Sequence, residues 1–285
     1  MTYVINEFII ECMNTKIFFF DLDGTLLNDE KKISPKTMEA LKIFTSKGNH
    51  FAISTGRAID SAMQVQKELG LDFKGTFLVG YNGGQIYDCD KKELVYRAQI
   101  PFELVEKCFA IANKHDVHIH TYNDNYIITP DDGECIAYYR KVIKTPMLVT
   151  NDILSKLTYG PSKCIAIELH DHEKMENFRK EIEKISQDKL SVMYSNAFYL
   201  EIFPKEAGKG SAVNRLCDYL NIPIENSLAA GDEQNDISMI KAAGKGIAML
   251  NATDIVKNNA DFITKADNNN DGLAPFILEA SIEDV

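Results

Sequence analysis

Clustered positive charge is scarce in this sequence. The 285 residues carry 31 Lys and Arg against 42 Asp and Glu, which gives a net charge of -11, and the basic residues form no run. Nucleic acids and anionic membrane surfaces need clustered Lys and Arg to replace their counterions. We therefore expect neither of them as a partner, and a charged substrate must meet a local positive site or a metal.

Paired cysteines and long apolar segments are also missing. The cysteines stand singly, with no C-x-x-C pair, at Cys12, Cys89, Cys108, Cys135, Cys164 and Cys217. With no signal-peptide pattern at the start, this predicts reduced thiols in the cytoplasm. No apolar run approaches the roughly 20 residues that cross a bilayer, so a soluble protein is expected. The segment before Met13 looks unlike the rest and fits an extension or a misassigned start.

Short apolar runs alternate with amphipathic helices from Lys16 onward. Ile17 to Phe20 is apolar on both faces, as a buried parallel strand is. Ser34 and Pro35 form a helix start that Gly48 closes. The next segments predict a strand from His50 to Ser54, a helix from Ala58 to Leu69 and a strand from Thr76 to Val79. This order indicates the α/β class, with a Rossmann-like, doubly wound parallel sheet.

The alternation of strands and helices ends at Asn82-Gly83-Gly84, a sequence that suits a tight hairpin. Hairpins and helices then mix, including a predicted hairpin around Asn123 to Asn125, until the parallel pattern resumes. We interpret this as an inserted α+β domain over residues 88–196, within a discontinuous core domain of residues 14–87 and 197–285. The pattern leaves monomer and homodimer equally open.

Polar side chains follow several of the predicted core strands. Asp21 and Asp23 follow the first strand, Thr55 the second, and Asp232 the strand "SLAA". In an open parallel sheet the carboxyl ends of the strands form the ligand site, so these groups should meet at one edge. Neighbouring carboxylates repel unless a cation lies among them, and oxygen ligands without His or Cys favour Mg²⁺.

Four motifs in order carry a resemblance to a known family. They are "DLDGTL" from Asp21, "STGR" ending at Arg57, "GKG" around Lys209 and "GDEQNDISM" from Gly231. Together they resemble the haloacid dehalogenase (HAD) superfamily of phosphatases. The tail "GIAMLNATDIVKNNADFIT" and "NNNDGLAPFI" resembles its Cof-type subgroup, subclass IIB, which carries an α/β cap between the second and third motifs.

The resemblance implies a hydrolase that cleaves the phosphate ester of a small phosphorylated metabolite. Asp21 would be the nucleophile that forms an aspartyl-phosphate, and Asp23 the general acid and then the base. Thr55 and Lys209 would contact the phosphoryl oxygens. Lys205 lies in the same stretch, "PKEAGK", but Lys209 matches the family pattern better because it follows Gly208 at a helix start.

The same resemblance implies a magnesium site and a substrate site. Mg²⁺ would be held by the Asp21 carboxylate, the Asp23 backbone carbonyl and Asp232, with Asp236 supporting its water shell. The substrate-binding residues would be Gly56, Arg57 and Asn235.

Several residues also have structural interpretations. Thr55 and Asp232 could cap helices, and Arg57 could pair with a carboxylate. Asn82 could adopt positive φ near a hinge between the domains. His118, His120 and Tyr122 alternate and so share one strand face. That face either contacts the leaving group of the substrate or is solvated sheet surface.

Two alternatives to a phosphatase stay open. One is a phosphotransferase or phosphomutase of the same superfamily, which passes the phosphoryl group to a second hydroxyl. The other is a non-hydrolysing switch that keeps its phosphate on Asp21, although a carboxylate at Asp23 argues against a long-lived phosphoaspartate. Sugar phosphates, nucleotides, pyridoxal phosphate and flavin mononucleotide all remain possible substrates.

Overall fold

A computed structural model describes residues 15–141, 143 and 145–282 of the chain. The segment before Met13 therefore lies outside the described residues. The chain divides into two compact units. The core unit comprises the described residues up to Tyr96 and from Gly208 onward, and the inserted unit comprises Arg97–Ala207.

The regular elements alternate along most of the chain. The strands are β1 (Ile17–Phe20), β2 (His50–Ser54), β3 (Thr76–Gly80), β4 (Gln85–Asp88), β5 (Glu93–Arg97), β6 (His118–Tyr122), β7 (Ile127–Thr129), β8 (Met147–Val149), β9 (Cys164–Ile167), β10 (Leu190–Tyr194), β11 (Tyr199–Pro204), β12 (Ser227–Gly231), β13 (Lys245–Ala248) and β14 (Phe262–Ile263). The α-helices are α1 (Pro35–Ser46), α2 (Ile59–Glu68), α3 (Phe102–His115), α4 (Glu134–Tyr139), α5 (His172–Ser186), α6 (Lys209–Leu220), α7 (Ile237–Ala242), α8 (Asp254–Lys257) and α9 (Ala274–Ile282). Within the described residues, no helix combines the length and apolarity needed to cross a membrane.

The core unit is built on a sheet whose strands lie in the order β14-β13-β12-β1-β2-β3-β4-β5. The pairs from β14 to β3 are parallel, and β4 returns antiparallel to β3. Helices pack on both faces, since α1, α2 and α9 bury their apolar residues in one cluster and α6 in another. The predicted Rossmann-like, doubly wound sheet is confirmed.

Strand β1 explains why the run of phenylalanines precedes the aspartates. Phe18 and Phe20 face the cluster with α1 and stack at 4.1 Å between ring centroids, while Phe19 faces α6. All are fully buried. A strand covered on both faces must be apolar throughout, and it anchors whatever follows its carboxyl end. The predicted N-cap of α1 is also present, because the Ser34 hydroxyl accepts the Thr37 N–H at 3.1 Å.

The inserted unit contains a second sheet, in the order β10-β11-β9-β6-β7-β8. Its pairs are antiparallel except for β7 with β8. One face buries residues such as Ile119 and Leu200 against α3 and α5. The predicted hairpin around Asn123 to Asn125 joins β6 to β7.

The boundaries of the two units lie later than the sequence predicted. They fall after Tyr96 and Ala207 instead of at 87/88 and 196/197. Strands β4 and β5 extend the core sheet, so they belong to the first unit, and β11 pairs with β9 and β10 in the second sheet. Hairpin signals alone could not show which sheet each strand joins.

Candidate active site

Three carboxylates and one lysine meet at the carboxyl edge of the core sheet. One oxygen from each of Asp21, Asp232 and Asp236 lies within 4.8 Å of the others. Lys209 Nζ donates to Asp21 Oδ1 at 2.5 Å and to Asp236 Oδ1 at 2.6 Å. The lysine side chain is 0% exposed. A buried cation thus lies between carboxylates from different ends of the chain.

The sheet itself brings these residues together. Asp21 directly follows β1, Asp232 follows β12, and the two strands pair in register with Phe20 opposite Ala230. The Asp21 N–H extends this ladder by donating to Ala230 O at 3.1 Å. Lys209 is the first residue of α6. The sequence predicted that Asp21, Asp23, Thr55 and Asp232 meet at one strand edge. The geometry agrees with this for Asp21 and Asp232, and Lys209 lies with them.

Hydrogen bonds fix the positions of Asp236 and Asp232. Asp236 Oδ2 accepts the backbone N–H groups of Asp232 and Glu233, both at 3.0 Å. Thr25 Oγ1 donates to Asp232 Oδ1 at 2.7 Å, a contact that the sequence did not predict. Gly24 has φ +80°, and a Cβ there would lie 2.3 Å from Asp232 Oδ2. Glycine at this position therefore permits both the predicted turn and the close approach of Asp232.

Burial, together with neighbouring charges, shifts the pKa values at this site. Burial, helped by the charges of Asp236 and Asp232, raises the pKa of Asp21 to about 7 even though Lys209 opposes it. Burial likewise raises the pKa of Asp232 to about 6, with Asp236 adding to the shift. Burial alone would lower the pKa of Lys209, but Asp21 and Asp236 outweigh it and raise that pKa. The site therefore has more negative charge than its lysine balances.

Asp23 lies apart from this carboxylate group. Its side chain is 43% exposed and bonds Arg57 Nη2 at 3.1 Å and Lys31 Nζ at 2.7 Å. Burial alone would raise the pKa of Asp23, but these two cations outweigh it and lower that pKa. The structural interpretation of Arg57, pairing with a carboxylate, is thus present here. Whether Arg57 also binds substrate stays a prediction.

The other predicted residues surround the same edge. The Thr55 hydroxyl is buried and accepts the Arg57 backbone N–H at 3.3 Å. Asn235 Nδ2 lies 3.5 Å from Asn82 Oδ1, and a Cβ on Gly56 would lie 3.2 Å from the same oxygen. Asn82 has the predicted positive φ, 53°. It also lies against Gly56 and accepts from Asn235, a placement that the sequence analysis missed although Asn82 follows the carboxyl end of β3.

The two candidate lysines have different surroundings. Lys205 is exposed and pairs with Asp188 at 2.5 Å inside the inserted unit. Lys209 is the lysine that contacts Asp21 and Asp236. The preference for Lys209 as the site cation agrees with this placement.

The histidines of β6 form a buried chain of hydrogen bonds in the inserted unit. Asp131 contacts His118 at 3.0 Å, His118 contacts His120 at 3.3 Å, and His120 contacts the Tyr122 hydroxyl at 3.3 Å. Tyr122 in turn lies 2.5 Å from the hydroxyl of Tyr139. His120 is 0% exposed. The alternative of a solvated sheet surface is wrong, and a role in specificity stays a prediction.

Comparison with known proteins gives this geometry a family. Residues 18–277 match the family model described as haloacid dehalogenase-like hydrolase. The chain belongs to this family. The match confirms the HAD resemblance drawn from the four motifs and the Cof-type resemblance drawn from the C-terminal segments, and with them a phosphatase or phosphotransferase enzyme class. The HAD motifs therefore contain the residues that meet at this edge of the sheet: Asp21 and Asp232 after their strands and Lys209 at the start of α6.

Relatives of this HAD chain match it over nearly its whole length. A Bacillus subtilis protein named 5-amino-6-(5-phospho-D-ribitylamino)uracil phosphatase YcsE is 31% identical, covering 94% of this chain and 96% of its own. A haloacid dehalogenase-like hydrolase from Bacteroides thetaiotaomicron has a TM-score of 0.81 at 32% identity, covering 93% of this chain and 99% of its own. A Thermotoga maritima structure has a TM-score of 0.82 at 28% identity, covering 93% and 97%.

Proposed function

We propose that this chain is a Mg²⁺-dependent phosphatase that hydrolyses small phosphate monoesters through an aspartyl-phosphate on Asp21. The observation that carries the proposal is the contact of Lys209 Nζ with Asp21 at 2.5 Å, inside a group of three carboxylates. Phosphoryl transfer needs a nucleophile surrounded by positive charge that is held in place before the reaction. Lys209 provides part of that charge.

The carboxylates fit a hard divalent cation. They offer only oxygen ligands within 4.8 Å of one another, and three carboxylates surround the single cation of Lys209. Asp21, Asp232 and the Asp23 carbonyl would hold the ion, and Asp236 is close enough to contribute through its water shell or directly. When bound, Mg²⁺ would neutralise charge on the phosphoryl oxygens.

The proposed reaction proceeds in two displacements on this edge of the sheet. An Asp21 oxygen attacks phosphorus and the bond to the leaving oxygen breaks, while Lys209 and Thr55 donate hydrogen bonds to phosphoryl oxygens. Asp23 donates a proton to the leaving oxygen. It then takes a proton from the water that attacks phosphorus and releases phosphate from Asp21.

The ion pairs of Asp23 set a condition on this scheme. With Arg57 and Lys31 attached, the lowered pKa keeps Asp23 ionised, which suits the base step. To act as an acid, Asp23 must first lose one or both cations. We propose that Arg57 turns from Asp23 to the substrate when the substrate binds, which would combine both interpretations of this residue.

The substrate is proposed to be a small phosphorylated metabolite. Among the relatives, YcsE is named a phosphatase of a ribityl phosphate, and one structural neighbour at 23% identity is titled a sugar phosphatase. These names support sugar and sugar-alcohol phosphates as the first compounds to test. The cysteines that the structure describes are free thiols, which supports the cytoplasm as the location.

A panel of phosphate esters tests the proposal. Sugar phosphates, nucleotides, pyridoxal phosphate and flavin mononucleotide are assayed for released phosphate with Mg²⁺ and again with a chelator. We expect turnover that needs the metal, and a loss of at least about a thousandfold in Asp21→Asn with an unchanged fold. Transfer to a second hydroxyl without phosphate release would instead support a phosphotransferase. A stable phosphoprotein would support the switch.

A further inference from the structure

Ser54 carries a buried hydroxyl with no partner. It is the last residue of β2 and is 0% exposed. Its Oγ makes no hydrogen bond with any residue that the structure describes. Native interiors rarely leave a polar atom unpaired, because burying it without a partner costs free energy. The unpaired Ser54 hydroxyl therefore needs an explanation, and its position in the sheet suggests one.

The strand register places Ser54 beside the proposed nucleophile. Phe20 of β1 lies opposite Ile53 of β2, so the next pair along the same ladder is Asp21 with Ser54. Paired residues of parallel strands project to the same face, and neighbouring strands are about 5 Å apart. Ser54 is also paired with Val79, which packs in the cluster with α6. Ser54 therefore faces the side from which Lys209 reaches Asp21.

Lys209 has hydrogen-bonding capacity to spare on this face. An ammonium group has three N–H donors. Among the described residues, Lys209 donates to Asp21 and Asp236 only. An unpaired acceptor and an unused donor thus lie on the same side of the core sheet, both shielded from solvent.

We propose that Ser54 is a positioning residue for Lys209. When Lys209 turns one N–H from Asp21 to the phosphoryl group of the substrate, the Ser54 hydroxyl accepts the third N–H and fixes the direction of the ammonium. The Ser54 hydroxyl is thus unpaired in the free protein and paired when substrate is bound. This inference rests on the proposed phosphatase function and deepens it by adding a residue to the machinery around Lys209.

A purely structural role for Ser54 predicts a different value of kcat. If the position needs only a small side chain, Ser54→Ala removes an unpaired polar group, so Tm rises or stays constant and kcat does not change. Under the proposal Tm behaves in the same way, but kcat falls about tenfold, the value of one hydrogen bond to a charged group. KM changes less than about twofold, because the hydrogen bond from Lys209 to Ser54 forms fully only in the transition state.

Ser227 offers a matched control at the opposite end of the sheet. It begins β12, is 0% exposed, and its hydroxyl donates to Ile224 O at 2.6 Å and accepts the Gly244 N–H at 3.0 Å. Ser227→Ala removes a satisfied hydroxyl far from the carboxyl edge, so Tm should fall while kcat stays constant. The two alanine variants should therefore show opposite responses in stability and rate.

The experiment measures kcat, KM and Tm for the whole chain with para-nitrophenyl phosphate and Mg²⁺. The variants are Ser54→Ala, Ser54→Thr, which keeps a hydroxyl, and Ser227→Ala. The proposal is supported if Ser54→Ala has a lower kcat than the unmodified chain and an unchanged or raised Tm. A kcat for Ser54→Thr above that of Ser54→Ala strengthens it. A Ser54→Ala with the rate of the unmodified chain overturns it. Asp21→Asn run in parallel separates the two claims, because an active Asp21→Asn rejects the proposed function itself.

Discussion

The two units of this protein treat buried charge differently. At the edge of the core sheet, Asp21, Asp232 and Asp236 surround the single cation of Lys209. On the inserted sheet, Lys163 and Glu201 form one pair at 3.3 Å, with side chains 8% and 11% exposed. The first group carries excess negative charge and the second is balanced.

The balance of charge distinguishes buried groups that serve the proposed chemistry from buried groups that stabilise the fold. A balanced buried pair contributes through its own geometry, and removing either partner leaves an uncompensated charge. An excess of carboxylates instead destabilises the protein that holds it unless a cation joins them. Removing a carboxylate charge should therefore stabilise the core site while it abolishes activity, whereas removing one charge of the Lys163–Glu201 pair should destabilise the inserted unit.

Asp232→Asn gives the largest expected effect. The amide keeps an oxygen for Thr25 but removes a proposed metal ligand, so the Mg²⁺-dependent rate should fall by at least about a hundredfold. The same change relieves repulsion among the carboxylates, so metal-free protein near neutral pH should gain about 1 kcal/mol in its free energy of unfolding. Steady-state kinetics and denaturant unfolding measure the two effects. A destabilised, active variant would contradict both parts of the comparison.

Lys163→Met tests the balanced pair in the inserted unit. Glu201 would lose its charge partner while buried, so the free energy of unfolding should fall by about 3 kcal/mol. The double variant Lys163→Met/Glu201→Leu should recover most of that loss, since no charge is left buried. Denaturant unfolding followed by circular dichroism reads both. Equal stabilities for the single and double variants would show that the two charges do not interact.

The effect of pH on Mg²⁺ binding comes next in size. The pKa values of Asp21 and Asp232 are raised to about 7 and about 6, above the unfolded value of 3.8. Between pH 3.8 and about pH 7 the folded state therefore binds more protons than the unfolded state. Without metal, the free energy of unfolding falls as pH rises through this range. Protons compete with the metal, so the rise in Tm caused by Mg²⁺ should grow from about pH 5 to about pH 8. A shift in Tm that is independent of pH would show that Mg²⁺ does not displace these protons.

Lys205→Ala should have the smallest effect. Lys205 and Asp188 are 55% and 89% exposed, and exposed ion pairs add little to stability. Neither kcat nor Tm should change measurably. Lys209→Ala, measured beside it, should lose activity, since Lys209 contacts the proposed nucleophile. A loss of activity in Lys205→Ala would return Lys205 to the candidates for the third motif.

The edge that carries the candidate active site could be predicted from the sequence because parallel strands leave little choice of geometry. Once β1 and β12 are recognised as buried strands, Asp21 and Asp232 must emerge at the same edge. Asn82 was missed as a site residue because Asn-Gly-Gly is a strong turn signal by itself, and a turn needs no ligand to explain it. Ser54 was invisible for a similar reason, since an unpaired hydroxyl appears only when its neighbours are placed.

The inserted unit was less predictable because its strands can pair in several orders. Alternation placed His118, His120 and Tyr122 on one face but could not show what covers that face, which proved to be hydrogen-bonded and buried. The strand β8 has three residues, too few for a periodic signal. Strand β11 lies beyond the predicted boundary because it pairs with β9 on the far side of α5, and such long-range pairing leaves no local mark in the sequence.

The central claim is that phosphate passes through a covalent bond to Asp21. The most direct measurement is mass spectrometry of the protein quenched in acid during turnover of a good substrate with Mg²⁺, followed by peptide mapping. The account predicts a phosphate on the peptide that contains Asp21, present during turnover and gone once the substrate is exhausted. Turnover with no phosphorylated peptide, or with the phosphate on another residue, would contradict it.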